Sequence, residues 1–305
     1  MEILIINYHY VNNKEFRLGG IYPIKPSVLE KQIQNIKKKY TFISASELET
    51  LDIDGKYCLL TFDDGLADHY NYVLPILHRE KIPAMFFVNT LQYTKKNNYI
   101  LPVHKWHLLR AFIPKEEQDL SFQIAINNLG INKIEVEDSK VRSQYRYDNI
   151  ETARQKYITN FLLTTEQNDS ITNYLFNRYA DTIDFDNFYM SSQQLKELAE
   201  YNFLGLHGHS HIPLSSISEQ KLNFEVKLNR DILKDITGKE LKYISYPYGG
   251  KTSISDNVIN YCKKNKIKLG FTMFRNLNSP LMKNKLLLGR FDVTDIFKGE
   301  KFINE

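Results

Sequence analysis

The chain has 305 residues, 42% hydrophobic and 25% charged, an ordinary globular composition with enough material for a sizeable core. Forty basic side chains against 36 acidic ones leave a formal net charge of +4, scattered over short runs such as "KKKY" (37–40) and "CKKNKIK" (262–268). That excess is too small and too dispersed for a nucleic-acid reader, and no apolar run reaches the length of a membrane span. Strand-like runs then alternate with helical patterns. "ILIINYH" (3–9) predicts a first strand, followed by the helical "SVLEKQIQNIKKKY" (27–40) and the short "TFISASELET" (41–50). "YCLLTFDD" (57–64) predicts a buried strand, "YNYVLPILHREK" (70–81) a helix, and "PAMFFVNT" (83–90) another strand. Beyond a long middle segment, "SSQQLKELAEY" (191–201) predicts a helix with serines at its start, and "FLGLHG" (203–208) a strand. The helix "SEQKLNFEVKLNRDILKDITG" (218–238) and the strand "LKYISYPYGG" (241–250) follow. A last helix, "ISDNVINYCKKNK" (254–266), precedes the strand "KLGFTMF" (268–274).

Strand and helix in alternation argue for an α/β fold with a parallel sheet, whose ligands gather at the carboxyl ends of the strands whether the sheet is open or closed into a barrel. Asp63 and Asp64 lie at such an end. The segment from about 95 to 188 breaks the alternation and reads as a mainly helical insertion within a single domain spanning 1–305. Cys58 and Cys262 form no disulfide framework and read as small buried hydrophobes. The start "MEILIINYHYV" has no basic region, long apolar stretch or small-residue cleavage site, so a cytoplasmic protein is expected.

Three of the eight histidines crowd into "LHGHSHIPL": His207, His209 and His211. His207 and His211 are four apart, so one turn of helix would set both on one face. Two imidazoles and a carboxylate from Asp63 or Asp64 make a three-ligand metal site that leaves positions open for water and substrate. A turn at the strand tip would aim both carboxylates inward, one to bind the metal and its neighbour to take a proton. His9 ends the first strand and is expected on the same face. "HKWH" (104–107) reads as substrate contact or packing, and His69 and His78 as ordinary helix residues.

"TFDDG" (61–65) resembles the first motif of the polysaccharide deacetylase family, also called the NodB-homology domain or carbohydrate esterase family four, and the likeness runs on through "LPILHREKIPAMFFV" (74–88). "SSQQLKELAEYNFLGLHGHSHIPLS" (191–215) resembles the region of the second motif, and "YISYPYGG" (243–250) is similar to the third. The resemblance implies a distorted (β/α) barrel and a divalent metal, most often zinc. It implies Asp64, His207 and His211 as ligands, Asp63 as catalytic base, and the backbone N–H of Tyr248 as a donor to the oxyanion. Three departures stand out. Gly208 occupies the Ser/Thr place of the second motif, with Ser210 a substitute. Ser245 occupies the arginine place of the third, with Arg290 in "LLLGRFDV" a stand-in to pair with Asp63. No histidine follows His211, so the leaving-group acid of the family has no counterpart, and His9 or Asp63 itself must move that proton.

The implied reaction removes an acetyl group from an N-acetylated amino sugar of a glycan or glycan precursor. With no export signal, a lipid-linked or nucleotide-linked saccharide fits better than finished cell wall. Hydrolysis of a small non-sugar amide, and non-catalytic glycan binding on the same fold, are the competing expectations.

Overall fold

A period of two runs through the long strands and decides what faces inward. The computed structural model describes residues 2–95, 99–131, 134–145, 148–183, 185–279 and 284–303. Its strands are β1 (Glu2–Tyr8), β2 (Thr41–Phe42), β3 (Lys56–Phe62), β4 (Ala84–Val88), β5 (Leu204–Leu206), β6 (Tyr243–Ser245), β7 (Leu269–Phe271) and β8 (Phe291–Asp292). They pair in parallel in the order β7-β6-β5-β4-β3-β1-β8, with β2 beside β3. The two ends of this path meet. Phe271 forms a parallel bridge with Leu288, just upstream of β8, and the Thr272 N–H donates to the Leu288 carbonyl at 2.8 Å. The sheet is therefore curled into a distorted (β/α) barrel whose seam is one bridge rather than a full ladder.

Alternate residues divide between two cores. Ile3, Ile5, Leu59, Met85, Phe87, Leu269, Phe271 and Leu288 fill the inside of the curl. Leu4, Ile6, Cys58, Leu60, Phe86, Leu204 and Ile244 face outward and pack with the surrounding helices. Gly205 makes the inner filling possible: a Cβ there would lie 2.4 Å from the Phe87 ring, so any side chain would expel it. Cys58 and Cys262 are free, buried and part of the outer core.

The helices begin and end where their polar residues predict. Ser191 caps Ser192–Glu200 in a reciprocal box with Gln194, and Ser218 caps Glu219–Thr237, which Gly238 closes at φ +71°. The helix expected over 70–81 differs. It opens as a wider π turn, His69–Val73, and becomes α-helical only over Leu74–Glu80. Pro75 has no N–H to bond four residues back and its ring crowds that turn, so the Leu74 N–H reaches His69 O instead. The short strand β8 and the hairpin Phe297–Lys298/Lys301–Phe302 carry too few residues to show a period and were not anticipated.

Contacts group the chain into two compact units. The first, residues 1–14, 23–98 and 187–305, contains the curled sheet. The second, residues 15–22 and 99–186, is helical, with helices Pro102–Phe112, Lys115–Asn128, Asp138–Gln144, Ile150–Tyr157 and Thr165–Arg178. Trp106 is buried there and meets Phe122 edge-on, and the His104 ring meets His107 in the same way at 5.7 Å. Among the described residues no helix is long and apolar enough to cross a membrane.

Candidate metal centre and active site

Toward the carboxyl ends of the strands the inward positions change from apolar to polar. After Ile5 comes Asn7; after Leu59 come Thr61 and Asp63; after Phe87, Asn89; after Gly205, His207. Ser245 and Arg290 complete the set, and every one of these side chains is buried. Because the parity of each strand is set by its hydrophobic stretch, the polar residues inherit the same inward direction.

Asp63 sits at the centre of this layer. Arg290 donates to both of its oxygens, Nη1 to Oδ1 at 2.9 Å and Nη2 to Oδ2 at 2.7 Å. Oδ2 also accepts from Asn7 Nδ2 and from the Ser245 hydroxyl, both at 3.1 Å. Arg290 is fully buried, lies over the Phe87 ring, and shares its three remaining N–H groups among Asn7 Oδ1, Thr61 Oγ1, Ser245 Oγ and the Thr272 carbonyl. Burial pushes the Asp63 carboxyl up, but the Arg290 charge, helped by His207, outweighs it and holds the group at about 2. Asp63 is therefore a carboxylate at any ordinary pH.

Asp64 would point away from this layer if the strand continued. Instead its φ is +82°, a left-handed turn that swings its carboxylate inward beside its neighbour. Asp64 Oδ1 then lies 3.4 Å from His207 Nε2 and 3.3 Å from His211 Nε2. The three ligand atoms fall within 4.8 Å of one another, and all three residues are buried. The expected helical turn over 207–211 does not form. The segment is irregular, and His211 reaches the site through a φ of +56°. His209 turns aside, with Nδ1 against Thr90 Oγ1 at 2.9 Å and its ring edge-on to Phe224. Tyr248, also left-handed at φ +63°, sets its ring against His211 with centroids 4.8 Å apart. Three strained turns thus meet at one site, where such strain usually serves function.

This donor set fits a divalent cation. His207 Nδ1 lies 2.8 Å from the Ser245 carbonyl, which can only accept, so Nδ1 carries the proton and the Nε2 lone pair faces Asp64. A carboxylate oxygen and imidazole nitrogens turned toward one another need a positive charge between them. The same requirement shows in the His207 ring: burial disfavours its protonation, yet Asp63 and Asp64 together raise its affinity for a proton.

His9 lies just beyond β1 and is partly buried. Its carbonyl accepts from His69 Nε2 at 2.6 Å, and its imidazole is close enough to Asp63 to help keep that carboxyl low. His69, read from sequence as ordinary, is fully buried between Phe62 and Phe86. Asn7, Thr61 and Asn89 were not singled out in the sequence, although strand parity alone places them inside.

The profile of the polysaccharide deacetylase family matches residues 51–117 and 147–270, well over half of the chain and all three members of the metal cluster. The chain belongs to the polysaccharide deacetylase family. The folds of solved deacetylases agree. The structure of the Streptococcus pyogenes deacetylase PplD in complex with acetate superposes with a TM-score of 0.58 at 17% identity, over 96% of this chain and 92% of that one. IcaB from Ammonifex degensii gives 0.54 at 17% identity over 95% and 91% of the two chains. The deacetylase domain of BpsB from Bordetella bronchiseptica gives 0.54 at 15% identity over 95% of each. No curated protein sequence matches the chain.

Within this deacetylase the departures from the family motifs acquire a geometry. Ser245, in the arginine place of the third motif, uses its hydroxyl to bridge Asp63 and Arg290, while its carbonyl orients His207. The guanidinium itself arrives from the opposite end of the chain, outside the residues the family profile matches. Gly208 has no side chain to orient the loop, and the Ser210 hydroxyl goes to Glu225 at 2.9 Å.

Proposed function

We propose that this deacetylase hydrolyses the acetamide of an N-acetylated amino sugar in a glycan or glycan precursor, with zinc as the ion held by Asp64, His207 and His211. The observation that carries this reading is the division of labour between two adjacent carboxylates. Asp64 faces the two imidazoles, whereas Asp63 takes its hydrogen bonds from Arg290, Asn7 and Ser245.

When bound, the cation supplies Lewis acidity, polarising the acetyl carbonyl and lowering the pKa of water. Asp63 then takes the proton from the attacking water. Its Oδ2 already accepts three donors and its Oδ1 only one, so Oδ1 is the atom with capacity to spare. The pairing with Arg290 fixes that atom in place and keeps it ionised. The backbone N–H of Tyr248, presented by a left-handed turn beside His211, donates to the oxygen on which negative charge develops. His9, at the mouth of β1, gives a proton to the departing amine in place of the family's late histidine.

Metal analysis of the purified chain and acetate release from N-acetylated amino sugars, O-acetylated sugars and small ring amides test the reading together. Asp63→Asn should lose 10²–10⁴-fold in acetate release while keeping its metal. His211→Ala should lose the metal, and His9→Gln should slow release without changing metal content. Unchanged turnover in Asp63→Asn would refute the base assignment. Release only from ring amides would move the protein to a different substrate class.

A further inference from the structure

Glu225 is a fully buried carboxylate that no step of the hydrolysis uses. It projects from the helix Glu219–Thr237, and each of its oxygens accepts from Ser210 in the histidine loop. The Ser210 backbone N–H donates to Oε2 at 2.8 Å and the Ser210 hydroxyl to Oε1 at 2.9 Å. Lys221, one turn earlier, approaches Oε1 at 3.7 Å and offsets the buried charge. One turn later, Asn229 is also fully buried. Its Oδ1 accepts the His207 N–H at 3.0 Å, and its Nδ2 donates to the Val88 carbonyl at 2.9 Å and to Thr90 Oγ1 at 3.2 Å. The four-residue spacing puts Glu225 and Asn229 on one face of the helix, and that face grips the loop at both ends.

We propose that Glu225, seconded by Asn229, is the positioning residue that holds His207 and His211 at metal-binding geometry. The inference rests on the Asp64–His207–His211 site and adds to it the device that keeps the second imidazole in place. His211 sits in a left-handed conformation that an irregular loop would relax without restraint. Fixing the Ser210 peptide fixes the direction in which the next Cα departs. A carboxylate suits this task because both groups it receives are donors. An amide keeps one acceptor oxygen for the Ser210 N–H, but its N–H₂ makes the Ser210 hydroxyl reverse its role, and it loses the charge that strengthens both contacts and faces Lys221. The Ser210–Glu225 pair thereby replaces the loop hydroxyl that Gly208 cannot provide.

Cobalt(II) titration of the metal-free full chain tests the clamp, since the visible absorption of the bound ion reports ligand geometry independently of turnover. Glu225→Gln should bind Co²⁺ about 10–100-fold more weakly than wild type, with an altered absorption band. Ser210→Ala should show a smaller loss, and the double variant should be no worse than Glu225→Gln alone, because both changes break one contact. Ser210 is partly exposed and its truncation leaves the helix intact, so that variant decides the matter if Glu225→Gln fails to fold. Wild-type affinity and an unaltered band in Ser210→Ala and Glu225→Gln would overturn the clamp while leaving the metal site standing. So would a lowered melting temperature with an unmoved band. Failure of the wild-type chain to bind Co²⁺ would overturn the metal site and the clamp with it.

Discussion

Arg290 and Asp63, 227 residues apart in sequence, meet through two parallel hydrogen bonds in a buried polar layer. A buried pair of this kind is costly to break from one side, because the survivor keeps its charge without a partner. Arg290→Met should lower the unfolding free energy by about 3–5 kcal/mol in a denaturant titration. Arg290→Lys keeps the charge but cannot reproduce the two-pronged contact, so it should fall between that variant and wild type. A value for Arg290→Met within about 1 kcal/mol of wild type would show that the pair is not what holds the layer.

Ser245 links that pair to the metal site with two different atoms. In Ser245→Ala the carbonyl that orients His207 survives and only the bridging hydroxyl is lost. Stability should drop by about 1–2 kcal/mol and acetate release should decline, with metal content per chain unchanged. Loss of metal from this variant would assign the orienting role to the wrong atom.

Gly65 follows the two aspartates at φ +66°, and a Cβ there would lie 2.9 Å from Val88 Cγ1. Gly65→Ala carries two separable penalties, about 1–2 kcal/mol for the left-handed backbone and a further steric cost against β4. Adding Val88→Ala opens the space without changing the backbone, so the double variant should show less than the summed loss of the two single changes. Strict additivity in a double-mutant cycle would mean that the contact is not felt.

His69 gives a pH dependence of known sign. Burial is the largest influence on it and holds its pKa at about 4, against 6.5 in the unfolded chain. Between those values the unfolded state binds the proton more readily, so stability falls with falling pH. The contribution is present above about 6.5 and declines toward pH 4, by about 3 kcal/mol in total. Unfolding titrations at pH 7 and pH 4 should show this loss in wild type and a loss smaller by about that amount in His69→Gln. Identical pH slopes in the two proteins would rule out His69 as the source.

The sequence carried the identity of the centre further than its shape. The "TFDDG" and "HGHSH" stretches point to a carboxylate from Asp63 or Asp64 and two imidazoles, because ligand chemistry and strand-end position are both local properties, and the family resemblance chooses Asp64 between the two. The way they approach one another is not a local property. A spacing of four suggested a helical turn over 207–211, whereas a single left-handed residue, His211, makes the convergence in an irregular loop. Sequence cannot show that choice, since His tolerates the left-handed region only when the surroundings supply compensating contacts.

Alternating hydrophobic residues and the caps at Ser191 and Ser218 determined a parallel strand–helix succession with its chemistry at the carboxyl ends, because both signals depend on neighbours a few residues away. The family resemblance offers Asp64 as the ligand and Arg290 as the partner of Asp63; that Asp64 meets the imidazoles and Arg290 meets Asp63, only the curled sheet decided. Residues 63, 245 and 290 share an inner layer because the sheet closes on itself, and no local pattern encodes the distance across a barrel.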